Sequence, residues 1–364
     1  MNGRTLVIVT TRLPPATCGI GTHSWLLRKH WPEPTPVEFL VIDGAAVANG
    51  VGGDRITEFG GQARELARQL ERIGTTDVLL HYAARAYHRY GCPVWIPGVL
   101  AHWKRKFPRS RLMVFVHELH GVLPITSRHF WLGQVNAWIV RGLAATADVL
   151  VTNTEHHAAR LRGITKRDDI HLFPVSSNIE PTAAFRFSQP RARTEFVLFG
   201  LSFGRLITLQ KFAGEVVRWH ARGMLTKLHI IGPEGDEFTR QADELIAHWP
   251  ESIVIVRHGI LPPNQVSRHL SEARFALTNV TPETWSKSGA FMACAAHRCA
   301  VVISVEGSAA GPLSHAVLAR EVDSIPEAEI NRRTVALADW YQTNADWPVI
   351  ARQLASLFEK HRTT

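Results

Sequence analysis

The stretch VFVHELHGVLP, residues 114–124, sets His117, Glu118 and His120 directly after an apolar run. Titratable side chains at the carboxyl end of a strand can serve as acid, base or hydrogen-bond partner near neutral pH. His117 and Glu118 are therefore the first catalytic candidates, with a purely structural strand end as the other reading. His117 and His120 make a His-x-x-His pair, but no third ligand is evident and no HExxH motif is present, so no metal is expected. Near the start, TTRLPPATCGIGTHSW places Gly19 and Gly21 ahead of a helical run. Glycine lets backbone approach a ligand closely, and a helix N-terminus offers free N–H groups to a phosphate. Ser24 breaks the dinucleotide fingerprint G-x-G-x-x-G, and a plain strand-to-helix turn explains the same residues. In LLHYAARAYHRYGCPVW, Tyr82, Tyr87 and His88 follow a strand. The tyrosines suit stacking on an acceptor sugar, and they equally suit core packing.

The second half repeats the arrangement. VLFGLSFGRLITLQKF carries Gly200, Ser202, Gly204, Arg205 and Lys211. Arg and Lys near a helix start are natural partners of a diphosphate. IIGPEGDEF makes a turn from Gly232, Pro233 and Gly235, with Glu234 and Asp236 entering a helix. RHGILPPNQV offers His258, Gly259 and Ile260 as the lining of a base pocket. TPETWSKSGAFMACAA puts Ser286, Lys287, Ser288 and Gly289 at a helix entry, where an anion would be held. Four glycine- or hydroxyl-bearing loops at one sheet edge are more specific than any one of them.

Those loops need elements to position them. Apolar runs (TLVIVT, VEFLVID, DVLLHY, RLMVFVH, DVLVTN, IHLFPV) alternate with helical patterns such as GQARELARQLERIG, where Ala63, Leu66, Leu70 and Ile73 share a face. The alternation predicts α/β architecture with parallel sheets. It breaks in a Pro-, Ser- and Arg-rich stretch and then resumes with EFVLFG, KLHIIG, SIVIVRHG, ARFALTNV and CAVVIS. Helices are predicted at about 207–222, 236–247, 263–272 and 288–297. The expected organisation is a domain over 1–180, a linker over 181–194, a second domain over 195–345 and a terminal helix over 346–364, with Ile350, Leu354 and Leu357 on its apolar face. Two doubly wound domains facing a cleft would bind ligands outside the carboxyl ends of their strands.

The 364 residues are enough for two cores, and 45% of them are hydrophobic. The net charge of +9, from 41 basic and 32 acidic residues, favours anionic partners such as nucleotide phosphates, nucleic acid or an anionic membrane. No nucleic-acid recognition motif stands out, and the charge is spread over both halves, so no nucleic-acid partner is expected. Cys18, Cys92, Cys294 and Cys299 are scattered without zinc spacing, which fits a reducing cytosol. No signal-peptide pattern or transmembrane-length apolar run is evident. A cytoplasmic location is expected, extending to the inner face of the membrane through the basic run HWKRKFPRSR, residues 102–111, against anionic lipid. A solvated helix end accounts for that run as well.

Taken together, the CGIG loop, FVHELHG, DVLVTNTEHHAARL, VLFG…GRL…K, LHIIGPEG, RHGILPPNQVSRHLSEARFAL and SKSGAFMACAAHRCAVVI resemble the GT-B glycosyltransferases, within them the large retaining family 4 group. The resemblance spans nearly the whole chain. It implies two Rossmann-like domains with the active site between them, a nucleotide-sugar donor on the C-terminal domain and a glycan or lipid-linked acceptor on the N-terminal one. By this resemblance His117 contacts the donor sugar and Gly19 and Gly21 approach the diphosphate. Arg205 and Lys211 stabilise the leaving group, with no cofactor and no metal, and transfer of a hexose is retaining. The terminal helix would cross back onto the first domain. One departure is plain: Trp285 and Ala293 stand where the family carries its Glu-x7-Glu pair, and Arg298 where it has a glycine. A non-catalytic nucleotide- or glycan-binding protein of this architecture is the alternative reading.

Overall fold

The computed structural model describes residues 4–16, 18–32, 35–43, 53–119, 126–182, 191–304 and 311–360. The chain forms two compact units, Met1–Pro174 with Trp347–Thr364, and Val175–Asp346.

In the first unit the elements run β1 (Leu6–Thr10), α1 (Gly19–Lys29), β2 (Val37–Val41), β3 (Arg55–Glu58), α2 (Ala63–Ile73), β4 (Asp77–Ala83), α3 (Ala84–Tyr87), α4 (Trp95–Lys106), β5 (Arg111–Glu118), α5 (Arg128–Thr146), β6 (Val149–Thr152), α6 (Glu155–Thr165) and β7 (Ile170–Leu172). Seven parallel strands lie in the order β3-β2-β1-β4-β5-β6-β7. Strands β1, β2 and β6 are buried along their whole length, as a sheet covered on both faces requires. Alternation then divides each strand between two cores: Val7 and Val9 pack with Leu66, Leu70 and Leu100, while Leu6 and Ile8 pack with Leu27 and Trp31. Helix α2 buries Leu66 and Leu70 and stops at Gly74, whose φ of +80° suits glycine. Helix α6 starts on Thr154, whose side-chain oxygen accepts from the His157 N–H at 3.0 Å.

The second unit runs β8 (Ala192–Phe199), α7 (Ser202–Ala221), β9 (Lys227–Ile231), α8 (Asp236–Ile246), β10 (Val254–Gly259), α9 (Pro263–Glu272), β11 (Ala273–Leu277), α10 (Gly289–Ala296), β12 (Ala300–Ile303), β13 (Val317–Leu318) and α11 (Glu327–Asn344). Its six parallel strands are ordered β10-β9-β8-β11-β12-β13. Two cores again cover the sheet, one around Phe291, Val301 and Tyr341, the other around Phe212, Trp219 and Phe275. Helix α12 (Trp347–Lys360) belongs to the first unit, where Trp347, Ile350 and Leu354 pack with Leu27 and Trp31.

Three boundaries differ from the sequence expectation. The units divide after Pro174 rather than near 180. β8 begins at Ala192, inside the expected linker, and residues 183–190 of that linker lie outside those described. Helix α7 begins at Ser202, five residues before the predicted start, so Gly204 lies in a first helical turn instead of a loop. A glycine weakens a helix without forbidding it.

Candidate functional site

In the second unit, the loops after β8, β9 and β10 are knitted by backbone. Gly200 donates its N–H to Ile231 O at 3.2 Å, and Gly232 donates to Gly259 O at 2.9 Å. A Cβ on Gly232 would stand 2.0 Å from Gly200 O and 3.1 Å from Arg205 Nε. Glycine is required there by contact, and again by its φ of +141°. The closeness lets Arg205 enter. Its side chain is fully buried against Phe238, with the guanidinium carbon 4.2 Å from the ring centroid. Nη2 donates to Pro233 O. Nη1 lies 3.6 Å from Glu234 Oε1, too far for a hydrogen bond, and Nε has no hydrogen-bond partner among the described residues. Burial lowers the Arg205 pKa and Glu234 works against that; an arginine stays charged even so. A buried cation with spare N–H groups behind glycine loops is suited to an anion.

Lys211 is not brought to Arg205. Six residues along a helix is a rotation of about 240°, so Arg205 points into the core while Lys211 is exposed. The expected basic pair reduces to Arg205. Ser202 is the first residue of α7, where a helix N-terminus carries partial positive charge.

The opening of α10 is a second helix start at the same sheet. Ser288 is its N-cap, with Oγ accepting from Phe291 N–H at 3.2 Å. Ser286 is buried and its carbonyl accepts from Val175 N–H at 2.8 Å. Gly289 stands against Asn178, where a Cβ would meet Cγ at 3.4 Å. Lys287 is exposed beside them. Trp285 packs edge-on against Trp340 at 5.2 Å, and Ala293 is fully buried. Both positions of the family carboxylates thus serve packing.

In the loop expected to line a base pocket, Ile260 is 66% exposed. Gly259 (φ +62°) serves the turn that accepts from Gly232. His258 does not face that loop alone: its Nε2 is 2.9 Å from His229 Nδ1.

In the first unit, His117 is at the end of β5 as expected but is not free. An extra residue in the β4–β5 register falls at His117, and a bulge of this kind re-aims a side chain. The ring stacks on Phe115 at 4.3 Å, and Nε2 lies 2.9 Å from His81 Nδ1. His23 from α1 closes the group, with ring centroids 5.3 Å from His81 and 5.2 Å from His117. Burial pulls His23 down to about 4, and burial with mutual repulsion holds His81 and His117 well below the usual histidine range. Neutral imidazoles of this kind are weak bases and good hydrogen-bond partners or ligands. Glu118 ends the strand, exposed; His120 lies outside the described residues.

Gly21 is needed for contact within the fold, since a Cβ would be 1.4 Å from Arg12 O, whereas Gly19 has nothing within 4 Å. Tyr82 and Tyr87 correct the acceptor expectation. Both are buried, Tyr82 with its hydroxyl accepting from Asn136 Nδ2 at 3.0 Å and Tyr87 donating to His81 O at 2.8 Å. Tyr82 lies in β4, which is buried on both faces, and Tyr87 ends α3 and is buried as well, so neither ring offers a face to a sugar.

Two groups of three histidines among the described residues bring ligand nitrogens within 4.8 Å of one another: His23, His81, His117 and His229, His258, His269. Reasoning along the sequence passed over His23, His81, His229 and His269. For His81 and His229 the signal was a lone histidine inside an apolar strand, in DVLLHY and KLHII; His23 and His269 lie on helices and carry no such signal.

No protein-family model and no curated protein matches the sequence. Solved structures do match. The N-terminal domain of Candida albicans trehalose-6-phosphate phosphatase is 10% identical, covering 99% of this chain and 97% of that one, at TM-score 0.67. A glycosyltransferase from Rickettsia africae is 12% identical over 99% of each chain, at 0.65. A trehalose-6-phosphate protein from E. coli bound with UDP-2-fluoro glucose is 12% identical over 97% and 98%, at 0.64. The fold is GT-B. In GT-B terms the first unit is the N-terminal Rossmann-like domain and the second the C-terminal one. The knitted glycine loops, Arg205 and the α10 start all belong to the C-terminal domain of this GT-B chain.

Proposed function

We propose that this GT-B protein is a glycosyltransferase that moves a hexose from a nucleotide diphosphate sugar to a glycan or lipid-linked acceptor, with retention, in polysaccharide or glycoconjugate biosynthesis. The observation that carries the reading is Arg205, buried behind Gly200 and Gly232 with N–H groups unspent on acceptors among the described residues. The α10 start supports it, with Lys287 exposed beside the Ser288 cap. The E. coli relative holds a nucleotide-sugar analogue. In this reading the diphosphate sits between Arg205, Ser202 and the α10 start, and Ile260 flanks the base. Helix N-termini and Arg205 carry the leaving charge without a metal. His117 and Glu118 of the N-terminal domain are the catalytic candidates in this reading.

Acceptor recognition includes peripheral contact with an anionic membrane on the cytoplasmic side. Helix α5 exposes Trp131, Val135 and Trp138 at i, i+4 and i+7, one helical face, and aromatic faces of this kind seat in lipid headgroups. The basic run 102–111 contributes less than its count suggests, because Lys104 pairs with Asp148, Lys106 with Glu71 and Arg111 with Asp77. No helix among the described residues is long and apolar enough to cross a membrane.

The second reading is a non-catalytic nucleotide-binding GT-B protein, favoured by Trp285 and Ala293 at the carboxylate positions. Incubation with UDP-, GDP- and ADP-hexoses, with and without glycan and lipid-linked acceptors, separates the two. Nucleotide diphosphate release supports the transferase. Saturable donor binding with no turnover for any acceptor favours the second reading.

A further inference from the structure

Beside the loop that carries Gly259 and Ile260, the C-terminal domain gathers three histidines from three elements. His229 comes from β9, His258 from β10 and His269 from α9. His229 Nδ1 lies 2.9 Å from His258 Nε2. The His269 ring centroid is 4.4 Å from His258 and 5.0 Å from His229. An extra residue in the β9–β10 register falls at His258, and such bulges redirect side chains.

Glu195 of β8 fixes the chemistry. Its Oε2 is 3.0 Å from His229 Nε2. A carboxylate there accepts a hydrogen bond from Nε2–H, so Nδ1 keeps its lone pair and points into the group. Carboxylate–histidine pairs of this form orient imidazoles that bind metal. Glu195 is in turn held by Lys227 Nζ at 2.7 Å. The His269 ring makes ring contacts but no side-chain hydrogen bond among the described residues, so simple polar satisfaction does not explain its place.

We propose that His229, His258 and His269 form a binding site for a zinc-class divalent transition-metal ion, oriented by Glu195, that ties α9 to β9 and β10. Imidazole nitrogens select borderline ions such as Zn²⁺ and Co²⁺ over Mg²⁺ and Ca²⁺, which take oxygen. Nearby charge sharpens the choice. Arg268 acts on both His258 and His269, and Lys227 adjoins Glu195. A site with cations around it must bind through nitrogen bonding rather than through negative charge. Three protein ligands and partial exposure of His258 leave a fourth position for water. The site shares no side chain with Arg205 or Lys287, and metal uptake is read without any sugar nucleotide, so it survives or fails independently of the transferase reading.

The test is uptake of Zn²⁺ alone by the metal-stripped full-length protein, counted by competition with a chromogenic chelator, and visible absorption with Co²⁺ alone. The wild type takes up Zn²⁺, warms in Tm by roughly 5 °C, and gives the intense Co²⁺ bands of a tetrahedral site. His258→Gln and His269→Gln each lose the same single equivalent and the same bands. Glu195→Gln keeps the site but weakens it ~10–100-fold. His81→Gln leaves that equivalent in place, and Mg²⁺ gives no shift. Thermal melts of the metal-stripped variants check folding, and Glu195→Gln gives a graded readout should a histidine variant fold poorly. No uptake by the wild type overturns the proposal. Uptake unchanged in both His258→Gln and His269→Gln, or lost only in His81→Gln, overturns it equally.

Discussion

Gly232 lies so near Gly200 that any Cβ on it would stand 2.0 Å from the Gly200 carbonyl oxygen. Two strand-end loops of the C-terminal domain are thus in backbone contact, and Arg205 passes beside them. Gly232→Ala is expected to cost roughly 2–4 kcal/mol, since it combines a clash with strain at φ +141°. Gly235→Ala, with nothing within 4 Å, is expected to cost less than about 1 kcal/mol. Urea unfolding of the two variants measures the contrast; equal stabilities would mean the loops are not packed as described.

Arg205 is expected to act on phosphate and not on the base. Arg205→Lys keeps a charge but not the fork, and should weaken nucleotide diphosphate binding about tenfold or more. Binding of the corresponding nucleoside should be unchanged. Calorimetry with both ligands decides it, because a merely structural arginine would weaken both alike.

His297 predicts an acid limb in the stability profile. It is fully buried, with Nδ1 2.7 Å from Ala293 O and Nε2 2.9 Å from Ser267 Oγ. Burial first, and then the Arg191 charge, hold it down to about 4 against the ordinary 6.5 of histidine. The unfolded chain therefore binds the proton first as pH falls. Stability is complete above pH 6.5, declines below it and levels near pH 4, a change of about 3 kcal/mol from this residue. Urea midpoints between pH 7 and 4 should fall less steeply in His297→Gln.

The parallel sheets were legible because buried strands read as apolar runs, and the strand-end loops because glycine and hydroxyl residues punctuate them. Arg205 was legible as a basic residue near a helix start, but its burial was not. The geometry depends on Gly200 and Gly232, 32 residues apart in sequence and brought together only by the sheet order. Tyr82 was ambiguous because an aromatic after an apolar run fits a core or a ligand equally well, and the coverage of β4 on both faces decides it. The histidine groups were hidden for a further reason. His23, His81 and His117 come from α1, β4 and β5, and His117 is aimed by a bulge that no local pattern announces.

The exposed face of α5 leads to a membrane prediction. Trp131→Ser with Trp138→Ser should lower binding to vesicles containing anionic lipid about tenfold, with the Tm nearly unchanged because both rings are exposed. Flotation with and without anionic lipid reads it, and undiminished binding would remove α5 from the contact.

The central claim is that the C-terminal domain holds a nucleotide diphosphate. Calorimetric titration of the full-length protein with UDP, GDP and ADP tests it most directly. One of the three is predicted to bind at about 1–100 μM, and Lys287→Ala to weaken it about tenfold without altering Tm. Absence of binding by all three at millimolar concentration would contradict the account.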